Sequence, residues 1–337
     1  METAAFCFAS VGEGGALDIP RTGGVEESDV DDLYDRWDRE YGDDESPDME
    51  WPGARRRGGR PVVAPIELEP PEPETEQIHM TYKPSRFEAG WLASSLRPFF
   101  QELLITDVLA LVRGGKEATV YCCRGAEDRA CPLVAAKVYR PRQFRQLRND
   151  KMYREGRPLL ASSGRSVKKT DNRLLRAVGK KTDFGVQVEH TSWLMYEYTT
   201  LEKLHAAGAA VPRPIAASDN AILMEYRGDV HTPAPALSDV RFDAGEAGPL
   251  FHEAIRNIRL MLNLGVIHGD LSAFNILWWD GAITLIDFPQ VTNTTGNPHA
   301  EFILRRDITR VCAYFASNGI ACHADEIMAD LWHPEDQ

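Results

Sequence analysis

The residues best suited to chemistry lie in one stretch, HGDLSAFNILWWDGAITLIDFPQ, at 268–290. Asp270 precedes Asn275 by five positions. Two short apolar runs come next, Ile276–Trp279 and Ile283–Asp287, with Asp280-Gly281 between them. Asp-Gly between apolar runs is a hairpin signal. A hairpin would return Asp287 to the rim that carries Asp270 and Asn275, so three oxygen-bearing side chains would share a small volume. Hard oxygen donors suit Mg²⁺, which binds one or two protein groups and completes its shell with phosphate oxygens. The carboxylate left over can accept a proton from an attacking hydroxyl. The chemistry this spacing predicts is phosphoryl transfer, in which catalysis is mainly positioning and charge neutralisation. A lone Asp in a loop is usually a turn former or a helix cap; the reading rests on the whole spacing.

Phosphoryl transfer needs further parts upstream. Arg113 to Tyr121 reads RGGKEATVY between β-like runs. Its small residues would let backbone N–H groups approach phosphate, which makes Gly114, Gly115, Lys116, Glu117, Ala118 and Val120 the candidate phosphate loop. Lys137 sits mid-run in VAAKVY. An ammonium among apolar neighbours needs an acidic partner. Glu197 in WLMYEYTTLEKL is the candidate, and Glu202, five residues on, points elsewhere on a helix. The run Ala221–Tyr226 (AILMEY) would form a strand leading to a hinge, with Met224 beside a base pocket or plainly in the core, and with backbone groups of Glu225, Tyr226 and Arg227 facing adenine.

The elements that must position these residues can be read from periodicity. Leu92–Leu104 and Trp193–Leu204 have helical spacing, as does Leu250–Leu264, while Ile105–Arg124 and Val134–Tyr139 read as strands. The chain from Arg305 to Leu331 reads as helix. Strands with a helix come first and mostly helix later, an α+β pattern in two lobes. The expected division is an acidic tail over 1–80, an N-terminal lobe over 81–226 and a helical C-terminal lobe over 227–337.

The chain has 337 residues and a net charge of −13. Residues 1–80 hold 21 acidic and 7 basic residues, so the acidic excess sits wholly in the first quarter. That segment also has eight prolines and few apolar residues, too few to offset the entropy of ordering, and is expected to be disordered. Leu33–Trp37 within it could form a short docking helix or simply be solvated. An overall charge this negative argues against a simple nucleic-acid coat. The six cysteines form no C-x-x-C pair, so neither a zinc site nor a thioredoxin-like redox site is expected; so few cysteines in a chain this long make a disulfide framework improbable, and buried or inert thiols are expected. No apolar run is long enough to span a membrane and the N-terminus is not a secretory signal, so a soluble, cytoplasmic protein is expected.

Taken together, these segments resemble the RIO family of atypical protein kinases over roughly residues 88–325. RGGKEATVY is similar to the family's phosphate loop, S-T-G-K-E-A-x-V-Y, with Arg113 and Gly114 where Ser and Thr often stand. The G-x-G-x-x-G of ordinary protein kinases is absent. VAAKVYRPRQFRQLRNDKMYREGR, at 134–157, looks like a segment of bacterial RIO-like proteins, and HGDLSAFNIL and IDFPQ resemble the catalytic and metal loops. Arg306-Asp307 resembles the closing segment. The resemblance implies a two-lobed protein-kinase-like fold that uses ATP and Mg²⁺, with Mn²⁺ as a substitute. It makes Lys137 the phosphate anchor, Glu197 its partner, Asp270 the catalytic base, and Asn275 and Asp287 the metal ligands, with Asp287 also a hypothetical phosphate acceptor. It implies serine/threonine protein kinase, autophosphorylation or ATPase-switch activity on a protein substrate or on the chain itself. The Arg- and Lys-rich insertion at 140–181 would be a lid over ATP, a contact for ribosome or RNA, or a counter-charge to the acidic tail, which would then be autoinhibitory.

Two other classes compete. H-G-D-L-x-x-x-N also occurs in small-molecule kinases of the aminoglycoside and choline phosphotransferase type, but those often carry His where Ser272 stands. A nucleotide-binding scaffold with little catalysis is the third, and the intact set Lys137, Asp270, Asn275 and Asp287 argues against it.

Overall fold

The computed structural model describes residues 78, 80–115, 117–126, 132–139, 153, 157–168, 171–180 and 182–333. The acidic segment, apart from Ile78 and Met80, lies outside them, as do Lys116, Cys7, Cys131 and, of the basic insertion, residues 140–152, 154–156, 169–170 and 181.

Helix α1 (Arg86–Gln101) opens on a capping box in which Ser85 and Glu88 satisfy each other's backbone donors. It starts six residues before the apolar periodicity predicts. Strands β1 (Ile105–Gly114), β2 (Ala118–Gly125) and β3 (Leu133–Tyr139) come next, then α2 (Asn172–Gly179), α3 (Asp183–Ala206), β4 (Pro214–Ala217) and β5 (Ala221–Glu225). The five strands form one antiparallel sheet in the order β1-β2-β3-β5-β4.

Side chains alternate across a strand, and this alternation divides β3 between two cores. Val134, Ala136 and Val138 pack on one face with Leu92, Leu96 and Phe99 of α1. Ala135 and Tyr139 pack on the other with Trp193, Leu194 and Met195 of α3. Lys137 shares the parity of 135 and 139, so the sheet aims it at α3. Helix α3 is twice as long as its apolar periodicity predicts. Its extra turns carry polar residues that are nevertheless used: Thr182 caps the Gly185 amide and Ser192 accepts from the Leu160 amide at 2.8 Å.

The second lobe contains α4 (Ala244–Asn263), β6 (Val266–Ile267), β7 (Ile276–Trp279), β8 (Ala282–Leu285), β9 (Thr292–Asn293), α5 (Ala300–Ser317) and α6 (Ala324–Leu331). The predicted hairpin is β7–β8, turning through Asp280 (φ 50°) and Gly281 (φ 77°), the two left-handed residues of a tight hairpin turn. Strands β6 and β9 pair antiparallel and bring the chain before His268 beside the chain after Asp287. The predicted helix over 305–331 is in fact two, and Arg306-Asp307 lies inside the first of them, α5, which begins at Ala300. The chain is thus an α+β, two-lobed, protein-kinase-like fold.

The cysteines divide. Cys122 and Cys123 are free and buried in β2. Cys312 and Cys322 are instead joined as a disulfide, because the chain leaving α5 turns back and sets their Cα atoms 5.4 Å apart. The expectation of inert thiols therefore fails for that pair. Among the described residues no helix is long and apolar enough to cross a membrane.

Candidate active site

Lys137 is the junction of the two lobes. Its ammonium lies 2.6 Å from Glu197 Oε1 and 2.6 Å from Asp287 Oδ1. Glu197 is 1% exposed, and its carboxylate is fully engaged. Oε1 also accepts from the Phe288 amide at 3.4 Å, and Oε2 accepts from the Tyr139 hydroxyl. Glu202 is on the exposed side of α3, as helical geometry requires. Burial disfavours the ammonium, but Asp287, Glu197 and Tyr139 around it outweigh burial and hold the Lys137 pKa well above the usual lysine value. Burial likewise opposes the charge on Asp287. Lys137, His268 and Arg113 prevail and hold it below the ordinary carboxylate range.

Asp270 and Asn275 stand beside this junction. Asn275 Nδ2 donates to the Asp270 carbonyl at 2.8 Å and to Asp270 Oδ2 at 3.2 Å. The Asn275 carbonyl in turn accepts from the Ile286 amide at 2.9 Å, one residue before Asp287. His268 supports the same corner. Its Nε2 lies 3.0 Å from the Ile286 carbonyl, and its Nδ1 accepts from the Asp270 amide at 3.3 Å. The three residues singled out by spacing therefore share one rim. Asp287 adopts φ 69°, a region that a residue with a side chain occupies only when its surroundings hold it there.

Helix α5 supplies what the spacing did not reveal. Asp307 Oδ2 accepts from the Gly269 amide at 2.8 Å, and Arg306 Nη2 donates to the Gly269 carbonyl. The two peptide units flanking Gly269 are thus held by adjacent residues of one helix. Gly269 has φ +85°, and a Cβ there would lie 2.2 Å from the Gln290 carbonyl oxygen, so only glycine fits. Arg310 Nη1 reaches Asp270 Oδ1 at 3.1 Å. Burial and the Asp307 charge raise the Asp270 pKa, against the opposing pull of His268, Arg306 and Arg310. Arg306-Asp307 was visible as a pair in the sequence; Arg310 gave no signal of its own.

The other sequence candidates lie around the same cleft. Gly114, Gly115, Glu117, Ala118 and Val120 occupy the tip and far arm of the β1–β2 hairpin, where the Gly115 amide donates to the Ala118 carbonyl at 2.9 Å. A Cβ on Gly115 would meet that same carbonyl at 2.9 Å, so the tight tip suits glycine. Lys116 lies outside the described residues. Val120 pairs with Lys137 across β2–β3, which sets the hairpin beside the ammonium. Met224 is buried and pairs with Ala135. Two hinge groups are already committed. The Glu225 amide donates to the Arg213 carbonyl at 2.8 Å, and the Arg227 carbonyl accepts from the Ala234 amide at 3.0 Å. A base would therefore meet the remaining backbone groups of Glu225, Tyr226 and Arg227.

The donor set also suits a divalent ion held jointly with phosphate. Among the described residues no group of three or more His, Cys, Asp or Glu could hold a metal alone. Asn275 has committed its amide nitrogen to Asp270, which leaves its oxygen as the donor it can offer. Asp287 keeps 43% of its side-chain surface exposed. One or two protein oxygens, with the rest of the shell left to phosphate and water, is the pattern Mg²⁺ favours.

Comparison with known proteins agrees with this geometry. A model of the RIO domain matches residues 119–327. The chain belongs to the RIO family. This RIO domain is 32% identical over 216 residues to the RIO-type serine/threonine-protein kinase Rio1 of Haloferax volcanii, covering 63% of the chain and 64% of that relative. It is 35% identical over 135 residues to the Thermoplasma acidophilum protein of the same name, covering 40% of the chain and 69% of the relative. Against the human serine/threonine-protein kinase RIO1 it is 26% identical over 223 residues, covering 65% of the chain but 35% of the relative. The match thus spans less than two thirds of the Haloferax protein and about one third of the human one.

Proposed function

We propose that this RIO-family chain is an ATP- and Mg²⁺-dependent phosphotransferase acting on serine or threonine of a protein, on itself, or on water as a slow ATPase switch. The single observation that carries the reading is the contact of Lys137 with both Glu197 and Asp287, beside an Asp270 tied to Asn275. Lys137 would hold phosphate oxygens while Glu197 keeps its ammonium in place. Asn275 and Asp287 would hold the metal, which would neutralise charge on the phosphate. Asp270, with 39% of its side chain exposed, would take the proton of the attacking hydroxyl as the new oxygen–phosphorus bond forms and the bond to the nucleotide diphosphate breaks. The named kinases among its relatives support the transfer reading. A cytoplasmic setting belongs to the same reading, since it would supply the ATP. A protein or RNA contact through the basic insertion belongs to the same reading and is argued from charge alone.

The test is the full chain with labelled ATP and Mg²⁺ or Mn²⁺, following label into the chain itself, into added protein and into free phosphate. Metal-dependent transfer or release that disappears in Asp270→Ala is the expected result. No phosphate moved by the wild-type chain, or an Asp270→Ala chain as active as wild type, would overturn the reading.

A further inference from the structure

Two side chains of the basic insertion, Tyr153 and Arg157, reach into the second lobe. Tyr153 is buried, and its hydroxyl accepts from Arg306 Nη1 at 2.7 Å while the guanidinium lies 5.7 Å from its ring centre. Arg306 is the residue that donates to the Gly269 carbonyl, next to Asp270. Arg157 approaches the other side of the cleft. Its Nη1 and Nη2 lie 3.3 and 3.2 Å from the Pro289 carbonyl, and Nη2 also donates to the Val291 carbonyl. The same guanidinium stacks 4.8 Å from the centre of the Tyr196 ring, and the Tyr196 hydroxyl donates to Asn293 Oδ1 at 2.8 Å. Tyr196 immediately precedes Glu197.

The Arg157 and Tyr196 contacts converge on residues 289–293, the chain that leaves Asp287. That chain has little regular structure of its own: a turn from the Val291 amide to the Phe288 carbonyl, and the two residues of β9. Asp287 sits in a conformation that must be held from outside. A planar guanidinium can stack on an aromatic face and still present parallel donors to two carbonyls, which an ammonium cannot do.

We propose that Arg157 is a positioning residue, which clamps the chain after Asp287 onto the helix that carries Glu197, and that Tyr153 does the same for Asp270 through Arg306. The proposal rests on the roles given above to Asp270 and Asp287, but the clamp itself is a property of the unliganded chain. It also makes two side chains of the basic insertion struts for the two loops that the proposed chemistry needs.

The test compares wild type with Arg157→Ala, Arg157→Lys, Tyr196→Leu and Tyr153→Phe in the full chain. Hydrogen exchange without nucleotide should speed up at 287–293 by about tenfold in Arg157→Ala, as local opening becomes easier, while α1 and β1–β3 keep their protection. With ATP, the Mg²⁺ concentration for half-maximal rate should rise and kcat should fall by about 10- to 100-fold, the range a small misplacement costs. Arg157→Lys should recover part of both, and Tyr153→Phe should speed exchange at 268–271 instead. A residue that only supports the fold would lower the melting temperature and leave the metal requirement and local exchange unmoved, and that result would overturn the proposal. If Arg157→Ala does not fold, Arg157→Lys and Tyr196→Leu carry the same comparison. If the wild type moves no phosphate, the proposed activity falls on that result alone, and the exchange data still decide the clamp.

Discussion

The two acidic groups at the heart of the cleft are held by opposite means. Asp287 is held across the lobes by one cation that it shares with Glu197, and the partners come from positions 137, 197 and 287. Asp270 is held within one lobe. Its preceding residue is fixed on both sides by Arg306 and Asp307, and its carboxylate is touched by Arg310 and Asn275, all of them residues of the second lobe. The first arrangement is a contact that a ligand can share: a phosphate can take donors from Lys137, and the exposed half of Asp287 can turn to a metal. The second is a frame that leaves the side chain little choice. A transferase needs both, a grip that adapts to nucleotide and a base that stays where the hydroxyl arrives.

The largest expected effect falls on Asp270, the proton acceptor proposed above. Asp270→Asn keeps the shape and removes the proton acceptor, so single-turnover phosphate transfer should fall by about 10²- to 10⁴-fold. Because backbone bonds to Gly269 do the holding, thermal unfolding should barely change. A large loss of stability in this variant would mean the carboxylate itself holds the loop, and the contrast with the grip would disappear.

The grip should behave in the reverse way. Lys137→Met leaves Glu197 buried with only the Tyr139 hydroxyl and the Phe288 amide, and removing one partner of a buried pair costs about 3–5 kcal/mol. Denaturant unfolding of Lys137→Met, Glu197→Gln and the double variant would measure the coupling between them. The double variant should regain much of what the first loses. Additive losses would show that the two do not act as a pair.

Within the frame, the two contacts from α5 should separate. Asp307→Ala removes the acceptor of a buried amide and should cost about 1–3 kcal/mol of stability as well as turnover. Arg310→Ala breaks a partly exposed ion pair, and such pairs are worth about 1 kcal/mol at most, or roughly a fivefold effect on rate. Parallel unfolding and rate measurements would rank them. An Arg310 variant that is worse than Asp307→Ala would move the weight of the frame from backbone to side chain.

The difference between grip and frame also explains what the sequence disclosed. Asp270, Asn275 and Asp287 were legible because a hairpin with an Asp-Gly turn converts a spacing of a few residues directly into proximity. Lys137 was legible because a lysine inside an apolar strand needs a partner, and Glu197 because helical geometry turns Glu202 away. Arg310, Tyr153 and Arg157 were not, since each meets its target from 40 or more positions away with no local pattern to mark it. The early start of α4 was missed because Gly245, Gly248 and Pro249 hide the periodicity, although Asp243 and Glu246 form a capping box that the sequence displays. The disulfide depends on how the chain turns after α5, which spacing alone does not state.

The smallest effect tests whether pairing, rather than the sheet, is what keeps Lys137 charged. Cys122 and Cys123 lie in the same sheet without an ion-pair partner like that of Lys137. Burial pushes the Cys122 thiol up to about 11, against a weaker opposing effect of Arg124, and burial with neighbouring negative charge pushes Cys123 higher still. Burial without a partner thus keeps a group neutral, while burial with two carboxylates keeps the ammonium charged. At pH 7.5 roughly one Cys122 thiol in 3,000 would be ionised, so alkylation by iodoacetamide should be slow in the folded chain and fast in denaturant. The raised pKa favours the protonated, folded form. Its contribution to stability is whole below the unfolded thiol's value of about 8.5 and is lost as pH climbs through about 11. Fast labelling of Cys122 at neutral pH would mean the sheet itself admits water and charge, and the special standing of the Lys137 pair would need another cause.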